Sequence, residues 1–489
     1  MGLFDDVTTD PILKKPQSFN LLLPPLPAMI ITLLLVTIPL KDPSLGWRAN
    51  WTFFLREFIG SWCSSFSLEL QSQSHVPELR YHLGKAALLN IAHAAFQIAL
   101  MIALTFVAGV FPVPFTPMIT MPLYAIFCWA TRIYVARKEL WSKTQPEKAL
   151  AFRTKLWNFI DLMGFMVQII TVYAALATVF SRVPSRYQLL MVMTIQGFKI
   201  LVRNIMWRKA QLNSQHDDVA AILVATSTQF FHSLFVSTCF QTSKSVVTLL
   251  LMVGWNILQD GLSIRSISRR TTRVERLRSK LNVSYNTTQD QLSLMVRATK
   301  HNSSAESNCL AIESSYLPYR ALAIQIKAQA SHTSDQAPAA AEVAWLHKQT
   351  ELFHCREVLL LRLYMEIIAP IFYLVFVSTL QAIPNRTCMS YLGHVDLPLL
   401  SQRIFLQVIT RVVLLLVLVH ELKQASSSTT PSGLRQLLFI TRYQGMPILV
   451  ECVSVSLFVF GFSVQHNGND ISFRFAWLKT TNATSIAGD

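Results

Sequence analysis

Residues 86–110 read AALLNIAHAAFQIALMIALTFVAGV, a run of 25 residues without Asp, Glu, Lys or Arg. A helix needs about 20 mostly apolar residues to cross the hydrocarbon core of a bilayer. The run therefore predicts a membrane-spanning helix. Two further stretches, 358–381 and 444–464, are nearly as apolar and predict the same.

The composition of the whole chain supports a membrane protein. Of its 489 residues, 14% are charged and 52% are hydrophobic, whereas soluble proteins carry about 25% charged residues. The mean hydropathy is +0.38. A chain of this kind lacks the polar residues to cover a soluble surface, which excludes a disordered protein, a small disulfide scaffold and an ordinary cytosolic enzyme.

Further apolar runs predict an all-α fold, a polytopic transmembrane helical bundle of about nine or ten spans with a cytosolic insert. The prolines that crowd the start of 115–134 suit either a full span or a re-entrant helix. Residues 50–62, short and aromatic, predict a helix at the membrane interface. The candidate spans are 20–40, 86–110, 115–134, 157–180, 187–206, 219–240, 245–263, 358–381, 401–420 and 444–464.

Four segments follow from this pattern: an N-terminal membrane block (1–263), a basic and partly disordered cytosolic insert (264–357), a three-helix membrane block (358–464) and an outer tail (465–489). Because Lys and Arg collect on cytoplasmic loops, the basic loop that begins at Arg132 and the insert are placed inside. The topology before that loop stays open. Within the insert, the pattern from 341 onward predicts one long helix that continues into the next span.

A cluster of basic residues opens the insert. Beside a membrane, such residues attract anionic lipid at the cytosolic face, or they act as a plain positive-inside anchor. The same bias accounts for the net charge of +16 without nucleic acid as a partner. The cluster comprises Arg265, Arg269, Arg270, Arg273, Arg276, Arg278 and Lys280.

Polar residues inside the apolar runs are candidates for an intramembrane site, because a charge at the centre of a span is costly. Arg411 requires a partner, with Glu366 or Glu451 as candidates, and Lys199 and Arg203 are candidate partners for Asp161. The set comprises Asn90, His93, Gln97, Asp161, Lys199, Arg203, Glu366, Arg411 and Glu451.

Two interpretations of this set remain open. The residues either form buried pairs and interhelical hydrogen bonds that fix the helix register, or they line a wet cavity for an ion, a proton or a polar solute. Asn90, His93 and Gln97 fall at i, i+3 and i+7, which places all three on one helix face.

Motifs for catalysis, cofactors or metals are missing from the sequence. It contains no GxxxxGK[ST], GxGxxG, GxSxG or HExxH, so no catalytic residue and no cofactor is predicted. His347 and His354 share a helix face but lack further ligands, and no metal site is predicted. Among the N-x-[ST] sequons, Asn385 and Asn482 fall outside in the predicted topology and are the expected glycosylation sites.

The C-terminal third resembles a set of multi-span oomycete membrane proteins. The resemblance rests on EIIAPIFY at 366–373, the Pro384-Asn385 pair and ISFRFAWL at 471–478, and it covers roughly 358–478. It implies a topology and a lineage but no activity. It also places Glu366 and the aromatic segment 473–477 in a shared pattern.

The sequence therefore predicts an integral protein of the plasma membrane or of an endomembrane. The leading function is a transporter or channel-like protein for a small polar or charged solute. The alternative is a non-transporting receptor or scaffold whose basic insert holds anionic lipid or a cytosolic partner. An enzyme is third, and the oligomeric state stays open.

Overall fold

The computed structural model describes residues 24–76, 79, 82–213, 219–242, 246–281, 337–389, 395–424, 433–443, 445–461 and 463–469. The regular secondary structure of these residues is helical, apart from one isolated bridge between Met389 and Val464, and the predicted all-α class is confirmed. The longer helices are α1 (Pro25–Thr37), α2 (Trp51–His75), α3 (Leu83–Ala108), α4 (Thr116–Val135), α5 (Pro146–Arg182), α6 (Ser185–Asn213), α7 (Val219–Thr242), α8 (Val246–Leu281), α9 (Ala337–Gln381), α10 (Leu397–Gln424), α11 (Gly433–Tyr443) and α12 (Gly445–Gly461).

Short helical turns complete the described part of the chain. Gly46–Ala49 and Arg137–Leu140 are one-turn α-helices, and Pro43–Leu45, Pro384–Cys388 and Gln465–Asn467 are 3-10 helices.

Four helices are long and apolar enough to cross a membrane: Gly84–Ala108, Thr116–Val135, Cys355–Gln381 and Leu397–Gln424. A fifth span results if α11 and α12 count as one broken span. These helices are compatible with an integral membrane protein. The predicted count of nine or ten spans is not confirmed and stays a prediction, although the other candidate stretches also lie on helices, namely α1, α5, α6, α7 and α8.

Local sequence signals explain where α3 and α4 begin and end. The ring of His82 caps α3 by accepting a hydrogen bond from the Gly84 amide at 3.2 Å. Gly109 ends the same helix with φ +65°, a conformation that glycine adopts without strain. Pro117 lies in the first turn of α4, where the missing amide hydrogen has no partner to lose.

Helix α2 is longer and more deeply packed than the interfacial helix predicted at 50–62. It spans 25 residues, and its second half buries polar side chains that gave no apolar signal in the sequence. The buried polar residues of α2 are Arg56, Ser65, Ser67, Glu69, Gln71, Ser72 and His75.

The helices that flank the predicted insert extend into it. Helix α8 continues without a break to Leu281 and therefore carries the whole basic cluster. Helix α9 runs for 45 residues from Ala337, which confirms the single long helix predicted from 341. The disorder expected for most of 281–340 falls on residues that lie outside the described part of the chain.

The chain divides into two compact units, each discontinuous in sequence. The first holds Leu250–Ile367 and Val408–Met446, and the second holds Pro25–Leu249, Ile368–Gln407 and the chain from Pro447. In the second unit, Phe460 of α12 stacks on Phe376 of α9 with ring centroids 3.8 Å apart. Tyr173 of α5 contacts the rings of Phe231 and Phe235 at 5.1 and 5.0 Å.

Candidate functional site

Four charged side chains meet inside the first unit and form a closed ring of alternating sign, here called the charge ring: Asp260, Arg362, Glu366 and Arg411. Arg411 Nη1 donates to Asp260 Oδ2 and lies 2.8 Å from Glu366 Oε2. Arg362 Nη2 pairs with Asp260 Oδ1, and its Nε lies 3.8 Å from Glu366 Oε1. Every member therefore has two neighbours of opposite charge.

The charge ring joins helices α8, α9 and α10 and is buried. All four side chains are less than a tenth exposed. Two carboxylates and two guanidinium groups give the ring no net charge, so each desolvated charge is compensated within the protein. Arg362, Glu366 and Arg411 all lie on helices that meet the length and composition of membrane spans.

The structure confirms one of the pairings predicted from sequence and adds two residues. Glu366 is the partner of Arg411, whereas Glu451 is not among the groups paired with it. Asp260 and Arg362 were missed because each lies near the end of an apolar run, where a charge is ordinary. The i, i+4 spacing of Arg362 and Glu366 was the available signal.

The basic cluster lies on the exposed surface of α8, beyond the apolar part of the same helix. From 247 to 262 the exposed large side chains are Val, Leu and Ile, ending with Leu262 at 58%. From 265 to 276 the exposed side chains are Arg, Ser and Thr. Arg265, Arg269 and Arg273 follow one another at i, i+4 and i+8 and so share a face, here called the arginine stripe.

The opposite face of α8 packs against α9. Thr271, 3% exposed, accepts a hydrogen bond from Arg356 Nη2 at 2.8 Å. Arg270 Nη1 lies 3.5 Å from Cys355 Sγ, so this arginine reaches toward α9. Arg276 is exposed, and the side chains of Arg278 and Lys280 lie outside the described part.

The polar residues of α3 contact α2 and α4 in the second unit. Ser65 of α2 lies 2.8 Å from His93 Nδ1 and donates to Asn90 Oδ1 at 2.5 Å. His93 Nε2 lies 2.6 Å from Thr131 Oγ1, and Gln97 Nε2 donates to Thr120 Oγ1 at 3.0 Å. For these three residues, the structure supports interhelical hydrogen bonds that fix helix register.

Arg132 makes a second buried ion pair. The sequence counts it with the basic residues that follow the span 115–134, and the structure places it on the last turn of α4. Its Nε donates to Glu69 Oε2 at 2.8 Å, and both side chains are 1% exposed. Its Nη2 also donates to the Ser65 carbonyl at 3.2 Å, so the guanidinium joins α4 to α2.

Asp161 does not pair with Lys199 or Arg203, its candidate partners. It pairs with Lys209 of α6, and the carboxyl is 65% exposed. Lys199 is buried and Arg203 half-buried.

Glu451 of α12 is buried in different surroundings. Its side chain is 3% exposed, and Oε1 accepts a hydrogen bond from Gln71 Nε2 of α2. Among the residues that the structure describes, no basic group lies within 4 Å of its carboxylate. Of the predicted set, Glu451 is therefore a buried acid with a neutral partner.

Asn385, one of the two expected glycosylation sites, has a buried side chain, and glycosylation there stays a prediction. It is 3% exposed, and its Nδ2 donates to the carbonyls of Val36 and Ile38 at 2.6 and 2.7 Å. A glycan on Nδ2 would remove these hydrogen bonds from a buried group. Asn482 lies outside the described residues.

His466 fixes the chain that precedes α2. Its Nε2 lies 2.9 Å from both the Lys41 carbonyl and Asn50 Oδ1, and its ring stacks on Phe53 at 5.0 Å. Burial lowers the pKa of His466 to about 4, against an ordinary value of 6.5. The imidazole is therefore neutral in the folded protein at neutral pH.

Within the described ranges, no group of three or more His, Cys, Asp or Glu residues is arranged to hold a metal. The structure does not describe the side chains of His347 and His354.

Comparisons with protein-family models, curated proteins and solved structures give no match to this chain. The resemblance of 358–478 to oomycete membrane proteins stays a prediction.

Proposed function

We propose that this chain is an integral membrane protein that binds anionic lipid headgroups through the arginine stripe of α8. The four to five long apolar helices are compatible with membrane insertion. The function corresponds to the receptor or scaffold alternative drawn from the sequence, in the plasma membrane or in an endomembrane.

The change of surface along α8 carries this proposal. Leu262 is the last large apolar side chain exposed on the helix before Arg265. With a rise of 1.5 Å per residue, Arg265 lies about 5 Å beyond Leu262 along the axis, and Arg269 about 10 Å beyond it. The headgroup layer is about 5–8 Å thick on each side of the hydrocarbon core. Arg265 therefore lies within this layer, where its side chain reaches lipid phosphates as a forked donor. Arg269 and Arg273, the latter about 16 Å beyond Leu262, lie farther out and attract anionic lipid through their charge.

The charge ring supports the same function because it holds α8 in place. Asp260 lies five residues before Arg265 on the same helix and pairs with Arg362 and Arg411. A helix fixed by two ion pairs presents its arginines with little conformational freedom to lose on binding.

The test uses the full chain in phosphatidylcholine liposomes that contain spin-labelled phosphatidylserine or spin-labelled phosphatidylcholine. Electron spin resonance measures the fraction of each lipid held at the protein surface. In the triple variant Arg265→Gln, Arg269→Gln and Arg273→Gln, we expect the preference for phosphatidylserine to fall by about fivefold for each arginine removed, since each contributes about 1 kcal/mol. Added salt should weaken the wild-type preference.

A matched variant separates this site from general positive charge. Lys138, Lys143 and Lys148 are also exposed, and changing all three to Gln removes the same charge elsewhere. We expect this control to keep the preference for phosphatidylserine. An equal loss in both triple variants, or no preference in the wild type, would reject the arginine stripe as the site.

Transport of a small polar or charged solute is the second candidate function, favoured by the buried carboxyl of Glu451. A flux assay tests it directly: proteoliposomes loaded with a pH-sensitive dye report proton movement when candidate solutes are added outside. Uptake by the wild type that is lost in Glu451→Gln would support transport. Failure of every solute to move would leave lipid binding as the function.

A further inference from the structure

Glu451 differs from the other acids that the structure places on the membrane-type helices or against them. Glu366 lies beside Arg362 and Arg411, and Glu69 pairs with Arg132. Glu451 has a comparable burial, and the partner found for its carboxyl among the described residues is the amide of Gln71. The three acids are therefore similarly buried, but they differ in whether a basic side chain compensates the charge of the carboxylate.

An ionised carboxylate in a buried site without a cation is strongly disfavoured, because no solvent and no guanidinium offsets its charge. Taking up a proton from water removes that charge. The carboxyl then has one acceptor oxygen and one hydroxyl donor. No bond other than O–H forms, and the proton returns to water by the reverse step.

Gln71 is suited to both forms of the carboxyl. Its Nε2 donates to a carboxylate oxygen, and after a flip of the amide its Oε1 can accept from the carboxyl O–H. A hard metal cation would instead require several oxygen ligands. Gln71 offers Glu451 an N–H donor in place of an oxygen ligand, so the pair does not meet that requirement.

We propose that Glu451 is an intramembrane proton-binding site with Gln71 as its positioning residue. The proposal is independent of lipid binding by the arginine stripe. Titratable groups on the elements that contact α12 include Cys452 beside Glu451 on α12 itself, Glu69 and His75 on α2, and Tyr373 of α9, which contacts α12 through Phe460. Glu69 is already compensated by Arg132, so it adds no free charge.

Infrared spectroscopy of the full chain in phosphatidylcholine liposomes tests the site. We expect a carbonyl stretch of a protonated carboxyl at pH 7 that is lost in Glu451→Gln. In D2O the band should move to lower frequency, which shows exchange with bulk water. Gln71→Leu should shift the band, because the hydrogen bond to the carboxyl is removed, whereas added sodium should leave it unchanged.

Glu57→Gln is the matched control. Glu57 lies on α2, and burial raises the pKa of its carboxyl despite the neighbouring Arg56. The band assigned to Glu451 should persist in this variant. If Glu451→Gln does not fold, Glu451→Asp should move the band instead of removing it. Any of three results would overturn the proposal: the band survives in Glu451→Gln, it is unchanged in both Gln71→Leu and Glu451→Asp, or it does not shift in D2O.

Discussion

Glu366 and Glu451 are both buried acids on helices near the C-terminus, yet their environments are opposite. Glu366 completes a ring in which every charge has two opposite neighbours. Glu451 accepts a hydrogen bond from the neutral amide of Gln71. Burial alone therefore does not define a functional acid in a membrane protein. Compensated charge fixes helices, whereas uncompensated acid is free to bind a proton.

The largest effect is expected from a substitution that breaks the charge ring. Arg411→Met leaves Asp260 and Glu366 to share Arg362, so one buried negative charge loses its partner. We expect a destabilisation of about 3–5 kcal/mol, as for other broken buried pairs. Titration with SDS in mixed micelles, followed by helical circular dichroism, measures the change in the free energy of unfolding.

The double variant Arg411→Met with Glu366→Gln controls for lost packing. It leaves one balanced pair, Asp260 with Arg362, and should recover part of the stability of Arg411→Met. If the double variant is as unstable as the sum of the two single variants, the ring does not act as a charge-compensated unit.

His466, outside the predicted spans, is a buried titratable group that the fold keeps neutral at neutral pH. The folded protein protonates His466 only near pH 4, whereas an unfolded chain protonates near the ordinary value of 6.5. Acid from pH 6.5 to 4 therefore favours the unfolded chain, by at most about 3 kcal/mol. Above pH 6.5 this contribution to stability is complete.

Thermal unfolding monitored by tryptophan fluorescence between pH 4 and 7.5 measures the decline. His466→Asn should flatten the profile in this window, and the exposed His420→Asn should not. Asp42, whose pKa is lowered by hydrogen bonds from Ser44, acts only at more acid pH. A decline that persists unchanged in His466→Asn would assign it to another group.

A smaller effect is expected at Glu451 itself. If the carboxyl already carries a proton, Glu451→Gln replaces one neutral group by another of similar shape, and the free energy of unfolding should change by less than about 1.5 kcal/mol. Glu366→Gln, the same chemical change in the charge ring, should cost more because Arg362 and Arg411 keep their charges. The same SDS titration compares both. Equal losses would remove the distinction between the two acids.

Sequence reasoning identified Glu366 and Arg411 because each interrupts an apolar run. It missed Asp260, Arg362 and Arg132 because charges at the ends of such runs are expected from topology alone. The buried half of α2 was missed for a different reason: Ser65, Glu69 and Gln71 carry no hydrophobic periodicity. Their burial depends on partners from distant helices, which local pattern cannot supply. The helical class follows from the apolar runs, while the number of spans is not confirmed.

The smallest effect is expected at the exposed ion pair of Asp161 and Lys209. The carboxyl is 65% exposed and the ammonium 29%, so water already solvates both charges. Exposed pairs contribute about 0.2–1 kcal/mol, and Lys209→Met should lower the free energy of unfolding by no more than this. High salt should reduce the difference further, because an exposed pair is screened. A loss of unfolding free energy as large as that of Arg411→Met would contradict this expectation. Burial would then not explain why the ion pairs of the charge ring are stronger than an exposed pair.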